Sequence, residues 1–259
     1  MNTLEKTKKK IIDTTNLENK NGYVNNYRQN LLNGIEDKYF INDLMAGSGN
    51  ELENKFKALW SSSALAVNNF VPFKKYIGKV TFFENIFEKA GFEEKYSTGL
   101  GGTPPNIDFF MENKNLVIGF ESKYLEILKE SESVFSNKYY SIKYLNNNFI
   151  SLIKKYNNTK GYLHKAQLLK HSMGLINYKI KTGKNIILYY IYWTPSNWNN
   201  FIEYKKHEAE LEIFSNELNL TGQIAFKCIK YSEFWNMYEK NKILNNYIKN
   251  IKIRYELEL

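Results

Sequence analysis

The chain has 259 residues, 36 lysines and arginines against 27 acids, and a formal net charge of +9. With 43% hydrophobic and 16% aromatic residues it carries enough apolar area to fold, which excludes a disordered or fibrous chain. No run approaches ~18 uninterrupted apolar residues, so no membrane-spanning helix is expected; the lone Cys228 excludes an internal disulfide or a multi-cysteine zinc site and suits a reduced, cytoplasmic setting.

Residues 1–20 are polar and lysine-rich, with Lys6, Lys8, Lys9 and Lys10, and are expected to form a flexible basic terminus that frays. No apolar run follows these lysines, so the pattern is not that of a signal peptide. Residues 21–259 read as one domain with a core at about 47–240. From Tyr23 to Met45, apolar residues at Tyr27, Leu31, Leu32, Ile35, Tyr39 and Phe40 recur at helical spacing. Gly47-Ser48-Gly49-Asn50 breaks the pattern, and a second helix is expected from Glu51 to Trp60. Ser61-Ser62-Ser63 then caps a small-residue helix through Val67. Phe82 to Ala90 reads as a short helix ended by Gly91.

Beyond this helical layer the period changes. Strands are expected at 92–96, 106–111 and 116–122, with a Gly/Pro loop at 97–105 and a hairpin turn at Glu112-Asn113-Lys114-Asn115. Residues 131–158 carry no clear period. A helix over 160–180, a buried strand over 186–193, a helix over 201–218, a strand over 224–229 and a terminal helix over 232–249 complete the chain. One α/β domain with an N-terminal helical layer is the economical reading.

The hairpin carries the chemistry. Asp108 opens its first strand, and Glu121 and Lys123 close the second, so an antiparallel turn brings them together. Glu121 and Lys123 are two apart and share a face. Two carboxylates and the Ser122 carbonyl are hard oxygen donors of the kind Mg²⁺ takes. A metal there polarises a phosphate and acidifies a bound water, and Lys123 positions that water or neutralises developing charge. The ordinary alternative is a solvated strand edge with an ion pair.

These residues, in an α-β-β-β-α-β order, resemble the PD-(D/E)XK nuclease superfamily, and more narrowly a bacterial family of poorly characterised restriction-endonuclease-like proteins. The matching stretches include Gly47 to Leu52, Ser61 to Asn68, Gly101-Gly102-Thr103-Pro104-Pro105-Asn106-Ile107-Asp108, Glu121-Ser122-Lys123 with Glu126, Gln167 to His171, Tyr189 to Trp193, and Tyr231 with Trp235. Asn106 and Ile107 separate Pro105 from Asp108, a departure from the strict Pro-Asp dipeptide. The resemblance implies a restriction-endonuclease-like core, a mixed central sheet flanked by helices, acting as a metal-dependent endonuclease on double-stranded DNA in restriction, defence or repair. It implies Asp108 and Glu121 on Mg²⁺ (with Mn²⁺ as a substitute), Lys123 completing the catalytic set, and Glu51 as an extra acid from the preceding helix. A homodimer is open, since many restriction enzymes cut two strands as dimers. A nucleic-acid-binding module that lost turnover is the alternative.

Gln167, Lys170 and His171 share a helical face at i, i+3 and i+4. Beside the hairpin they can hold a phosphate or orient water, or else Gln167 and Lys170 are surface residues and His171 packs locally. Asn68 is a further contact toward the loop before Asp108. His207 with Glu210 reads as a surface helix pair, Tyr189 to Trp193 as a core strand, and Cys228 as a small core residue. The charge itself has two sources. Arg28 and Arg254 are the only arginines, and an AT-rich genome produces the same lysine and asparagine excess as a polyanion partner would.

Overall fold

The structure is a computed structural model that describes residues 1–47 and 52–259. Its strands are β1 (Lys89–Lys95), β2 (Asn106–Glu112), β3 (Leu116–Lys123), β4 (Ser131–Ser133), β5 (Thr159–Gly161), β6 (Asn185–Tyr192) and β7 (Ala225–Lys230). Its helices are α1 (Thr3–Thr14), α2 (Ile41–Ala46), α3 (Ser62–Lys75), α4 (Asn147–Tyr156), α5 (Lys165–Thr182), α6 (Ile202–Leu220), α7 (Tyr231–Tyr238) and α8 (Asn245–Tyr255). The main sheet is five-stranded and mixed, in the order β1-β2-β3-β6-β7. β1, β2 and β3 form an antiparallel meander, and β3, β6 and β7 run parallel. The switch at β3 follows from the connections. A short turn joins β2 to β3, whereas the chain from β3 to β6 is long enough to cross over through α4 and α5.

Both faces of the sheet are covered, which is why β3 and β6 are apolar along most of their length rather than alternating. On one face Phe70 of α3 stacks on Phe109 at 4.5 Å and approaches Phe120 at 5.1 Å, and Phe234 of α7 closes the cluster. On the other face lie α5 and α6. The α5 helix sits close to the end of β1: a Cβ on Gly174 would run into the carbonyl oxygen of Tyr96. That close approach fixes the height of α5 over the sheet end.

Several local expectations change. The lysine-rich start is an ordered helix rather than a frayed segment. Asn2 and Glu5 form a capping box on α1, Thr7 and Ile11 are buried, and Thr3 donates to Glu203 at 2.8 Å. Residues 23–45 are not one helix. An Asn26–Gln29 capping box opens only the 3-10 turn Tyr27–Asn30, Gly34 turns at φ +89°, and α2 is the single α-helical piece there. Only a 3-10 turn, Lys55–Lys57, lies between 52 and 60. No helix forms at 82–90, because Phe83 and Glu84 both take positive φ. Gly91 is inside β1, where a Cβ would meet the Phe110 ring at 2.7 Å. The C-terminal helix is two, α7 and α8. Cys228 is exposed on the edge strand β7, not a core residue.

Candidate active site

The cluster stands where β2 begins and β3 ends. The ladder registers Phe109 against Phe120, so Asp108 comes across from Glu121. At that point the side chain replaces the ladder, and Asp108 Oδ2 accepts the Ser122 backbone N–H at 2.7 Å. Alternation along β3 sends Glu121 and Lys123 toward α5 and Ser122 toward α7, where its hydroxyl meets the Tyr231 hydroxyl at 2.7 Å.

Glu121 is fully buried between the Lys123 ammonium and the His171 imidazole. Lys123 forms an ion pair with one carboxylate oxygen, and His171 Nε2 lies 2.8 Å from the other. The Lys123 ammonium also donates to Gln167 Oε1 at 3.0 Å. Among the described residues neither Glu121 oxygen has a hydrogen bond of good geometry, so charge rather than directed bonding holds it. Burial opposes ionisation of Glu121, but Lys123 and then His171 outweigh it and hold the carboxyl down to about 2. Burial likewise opposes the charge of Lys123, and Glu121 and Asp108 outweigh that too, raising it above ordinary lysine. Asp108 goes the other way: burial, then the neighbouring Glu121 charge, push it well above the usual carboxylate range. The two acids are pushed in opposite directions, Glu121 toward its ionised form and Asp108 toward its neutral one.

A cavity of about 590 Å³ opens over this cluster. Asp108, Ser122 and Lys123 form its floor, and the first turns of α5 supply His164, Gln167, Lys170 and His171. Three of the anticipated residues therefore converge with the hairpin: Gln167 and His171 by direct contact and Lys170 at the rim. His171 is buried against Glu121 rather than presented to a nucleic acid. Asn68 does not reach the site. It is buried under α3, donating to the Asn30 carbonyl at 2.9 Å and the Tyr255 hydroxyl at 2.7 Å and accepting the Leu32 N–H at 2.8 Å. Glu51 lies outside the described residues. His207 is not a surface residue either. It is buried, its Nε2 is 2.9 Å from the Tyr190 hydroxyl, and burial lowers it to about 3. Its expected partner Glu210 instead accepts the Tyr162 and Leu163 N–H groups and pairs with Lys165.

Several residues of the cavity have no place among the sequence-based expectations, among them Lys55, Glu93, Glu132 and His164. His164 sits one helical step before Gln167 and follows the same face, so extending the i, i+3 pattern backward finds it. Glu93 has no such signal. It stands across β1 from Asp108, takes a positive φ of 53° that interrupts the ladder, and accepts from Asn106 Nδ2 at 2.8 Å.

The donors fit Mg²⁺ in kind, being two carboxylates and a carbonyl. Among the described residues no group of three or more His, Cys, Asp or Glu side chains is placed to hold an ion, and the third expected acid, Glu51, is not among those residues.

A mixed sheet of this order, flanked on both faces by helices, with paired acids and a lysine at the end of β3 and an N-terminal helical layer, defines a restriction-endonuclease-like protein. The chain matches the family described as Restriction Endonuclease associating with ARP (REase-ARP) over residues 3–256, and it belongs to that family. No curated protein and no solved structure matches it. Among the described residues no helix is long and apolar enough to cross a membrane.

Proposed function

We propose that the chain binds nucleic acid, with DNA as the polyanion its family implies, and that the phosphate backbone lies in the cavity over Asp108, Glu121 and Lys123. The observation that carries this reading is the cavity wall. Lys55, Lys123 and Lys170 reach it from three separate parts of the chain, beside the Gln167 amide and His164. Cations and neutral donors around one concave site are what a phosphodiester needs, and they share the wall with Glu93, Asp108 and Glu132. Binding without cleavage accords with Glu121 being engaged internally, by an ion pair with Lys123 and by contact with His171.

A second reading, metal-dependent phosphodiester hydrolysis, is favoured by the acids themselves. Two carboxyls facing a polyanion repel it unless a cation lies between them. Mg²⁺ or Mn²⁺ on Asp108, Glu121 and the Ser122 carbonyl would polarise the phosphate and supply the attacking hydroxide. Lys123 would then release Glu121 and neutralise charge on the phosphate. Incubating plasmid with Mg²⁺ or Mn²⁺ separates the two readings. Cleavage by the wild type, lost in Glu121→Gln, supports hydrolysis. A salt-sensitive gel shift with no cleavage in either metal supports binding alone. No shift at any salt contradicts both.

A further inference from the structure

We propose that the strand this site takes is unpaired, laid along three adjoining cavities with its phosphates on lysines and its bases on Trp60 and Tyr139. This rests on the nucleic-acid reading above and adds the form of the substrate. The central cavity shares Lys55, Ser62 and Ser63 with a second of about 260 Å³, and shares Pro105 and Lys170 with a third of about 430 Å³. The three adjoin through these shared walls, with the cavity over the Asp108–Lys123 cluster in the middle. Cavities of this size each suit a small ligand such as one nucleotide, whereas a duplex needs one broad cleft.

The two ends of the track are built alike. At one end Trp60 lines the cavity, with Tyr23 edge-on at 5.6 Å and the Lys8 ammonium 4.3 Å above its ring. At the other, Tyr139 lines the cavity with the Lys170 ammonium 5.6 Å above its ring. Burial lowers the affinity of both lysines for their protons; at Lys8 the neighbouring Lys129 lowers it further and Glu5 partly offsets this, while no carboxylate acts at Lys170. Each ammonium lies over an aromatic ring. A phosphate is a stronger partner for an ammonium than the ring beneath it, so an arriving phosphate draws the lysine off and opens the ring face to a base. Ring faces are useful only to unstacked bases, because a duplex offers its edges and backbone. Neither arginine lines any of the three cavities. Arg28 is paired with Asp37, and Arg254 donates to Thr15 and Asn30.

The test is fluorescence anisotropy in EDTA, which keeps any turnover out of the measurement. The probes are a labelled single strand of about 20 nucleotides and its blunt duplex, a length that exceeds common single-strand site sizes. The single strand should bind at least about tenfold tighter than the duplex. Trp60→Ala and Tyr139→Ala should each weaken single-strand binding roughly 5- to 150-fold, the range for removal of one base stack, and Phe at either position should restore most of it. Trp60 also packs against Gly22, so a thermal melt accompanies each variant and Tyr139→Ala provides the independent case. Duplex binding as tight as single-strand binding, or aromatic variants that bind the single strand normally, would overturn this proposal and leave the nucleic-acid reading standing. Binding of neither probe would overturn both.

Discussion

Two buried polar clusters flank the sheet. Under α3, Asn68 and Asn69 are neutral amides with their hydrogen bonds accounted for: Asn68 ties Asn30, Leu32 and Tyr255 together, and Asn69 bridges the Leu65 carbonyl and the Trp235 indole N–H. Under α5, Asp108, Glu121, Lys123 and His171 are ionisable, His171 Nδ1 has no hydrogen-bond partner among the described residues, and Asp108, Lys123 and His171 border a cavity. Residue type alone does not distinguish the two, since Asn68 and His171 are equally plausible contacts in the sequence. Satisfaction and access do. A closed, neutral network specifies the fold, whereas a charged cluster beside a cavity keeps partners it can exchange.

The sharpest way to break that distinction is Asn68→Ala. It strands the Leu32 N–H, the Asn30 carbonyl and the Tyr255 hydroxyl, and should cost about 3 kcal/mol. That corresponds to a fall in Tm of roughly 6–12 °C for a chain of this size, with nucleic-acid binding by the folded protein unchanged. A melt that stays within 2 °C, as an approximate threshold, would remove the structural role.

His207 provides a pH test of what a buried titratable group does away from the cavity. Its folded pKa of about 3 lies below the ordinary value, so the unfolded chain binds more protons between the two. Stability should therefore fall as pH drops below about 6.5, by roughly 1.4 kcal/mol per pH unit, or about 2 kcal/mol by pH 5. Urea titrations across that range should show the slope, and His207→Gln should flatten it.

Glu121→Gln sharpens the comparison from the site's side. Asp108 is a second carboxyl already close to Lys123, and burial and the Glu121 charge oppose its ionisation. Once Glu121 is neutral, Asp108 can ionise and pair with Lys123. The stability change should stay below about 1.5 kcal/mol, less than the ~3 expected for breaking an unbacked buried pair. Because the negative charge passes from Glu121 to Asp108 rather than leaving the cluster, metal-free binding in anisotropy should change by no more than about twofold. A loss or gain of tenfold or more, as an approximate threshold, would contradict this compensation. The smallest effect is at the α3 cap. Ser61 accepts the Ala64 N–H at 3.2 Å, and Ser61→Ala should cost about 1 kcal/mol in chemical denaturation without changing binding.

The sheet is legible in the sequence because its strands obey local rules. The turn at 112–115 sets the hairpin, and the hairpin sets the meeting of Asp108 with Glu121 and Lys123. The α5 face is legible from Gln167 onward for the same reason, as a fixed period. What the sequence hides depends on tertiary contact. Phe82, Phe83 and Phe87 look helical in spacing, yet Phe82 is placed by Phe73, Phe120 and Phe234, and the backbone turns left-handed to allow it. Glu93 reaches the cavity through a kink that no periodicity encodes. The +9 charge has no assignment from composition; Lys55, Lys123 and Lys170 around one cavity give part of it a place.

The central claim is that this cavity holds a phosphate backbone, and the most direct measurement is the salt dependence of single-strand affinity for the wild type and a Lys55→Gln/Lys170→Gln double variant. A backbone crossing the cavity predicts that affinity falls steeply with salt. It also predicts a slope of log K against log salt that is shallower by about 1.4 in the variant, near 0.7 for each phosphate that no longer meets a lysine. An unchanged slope, or affinity that salt does not move, would contradict it.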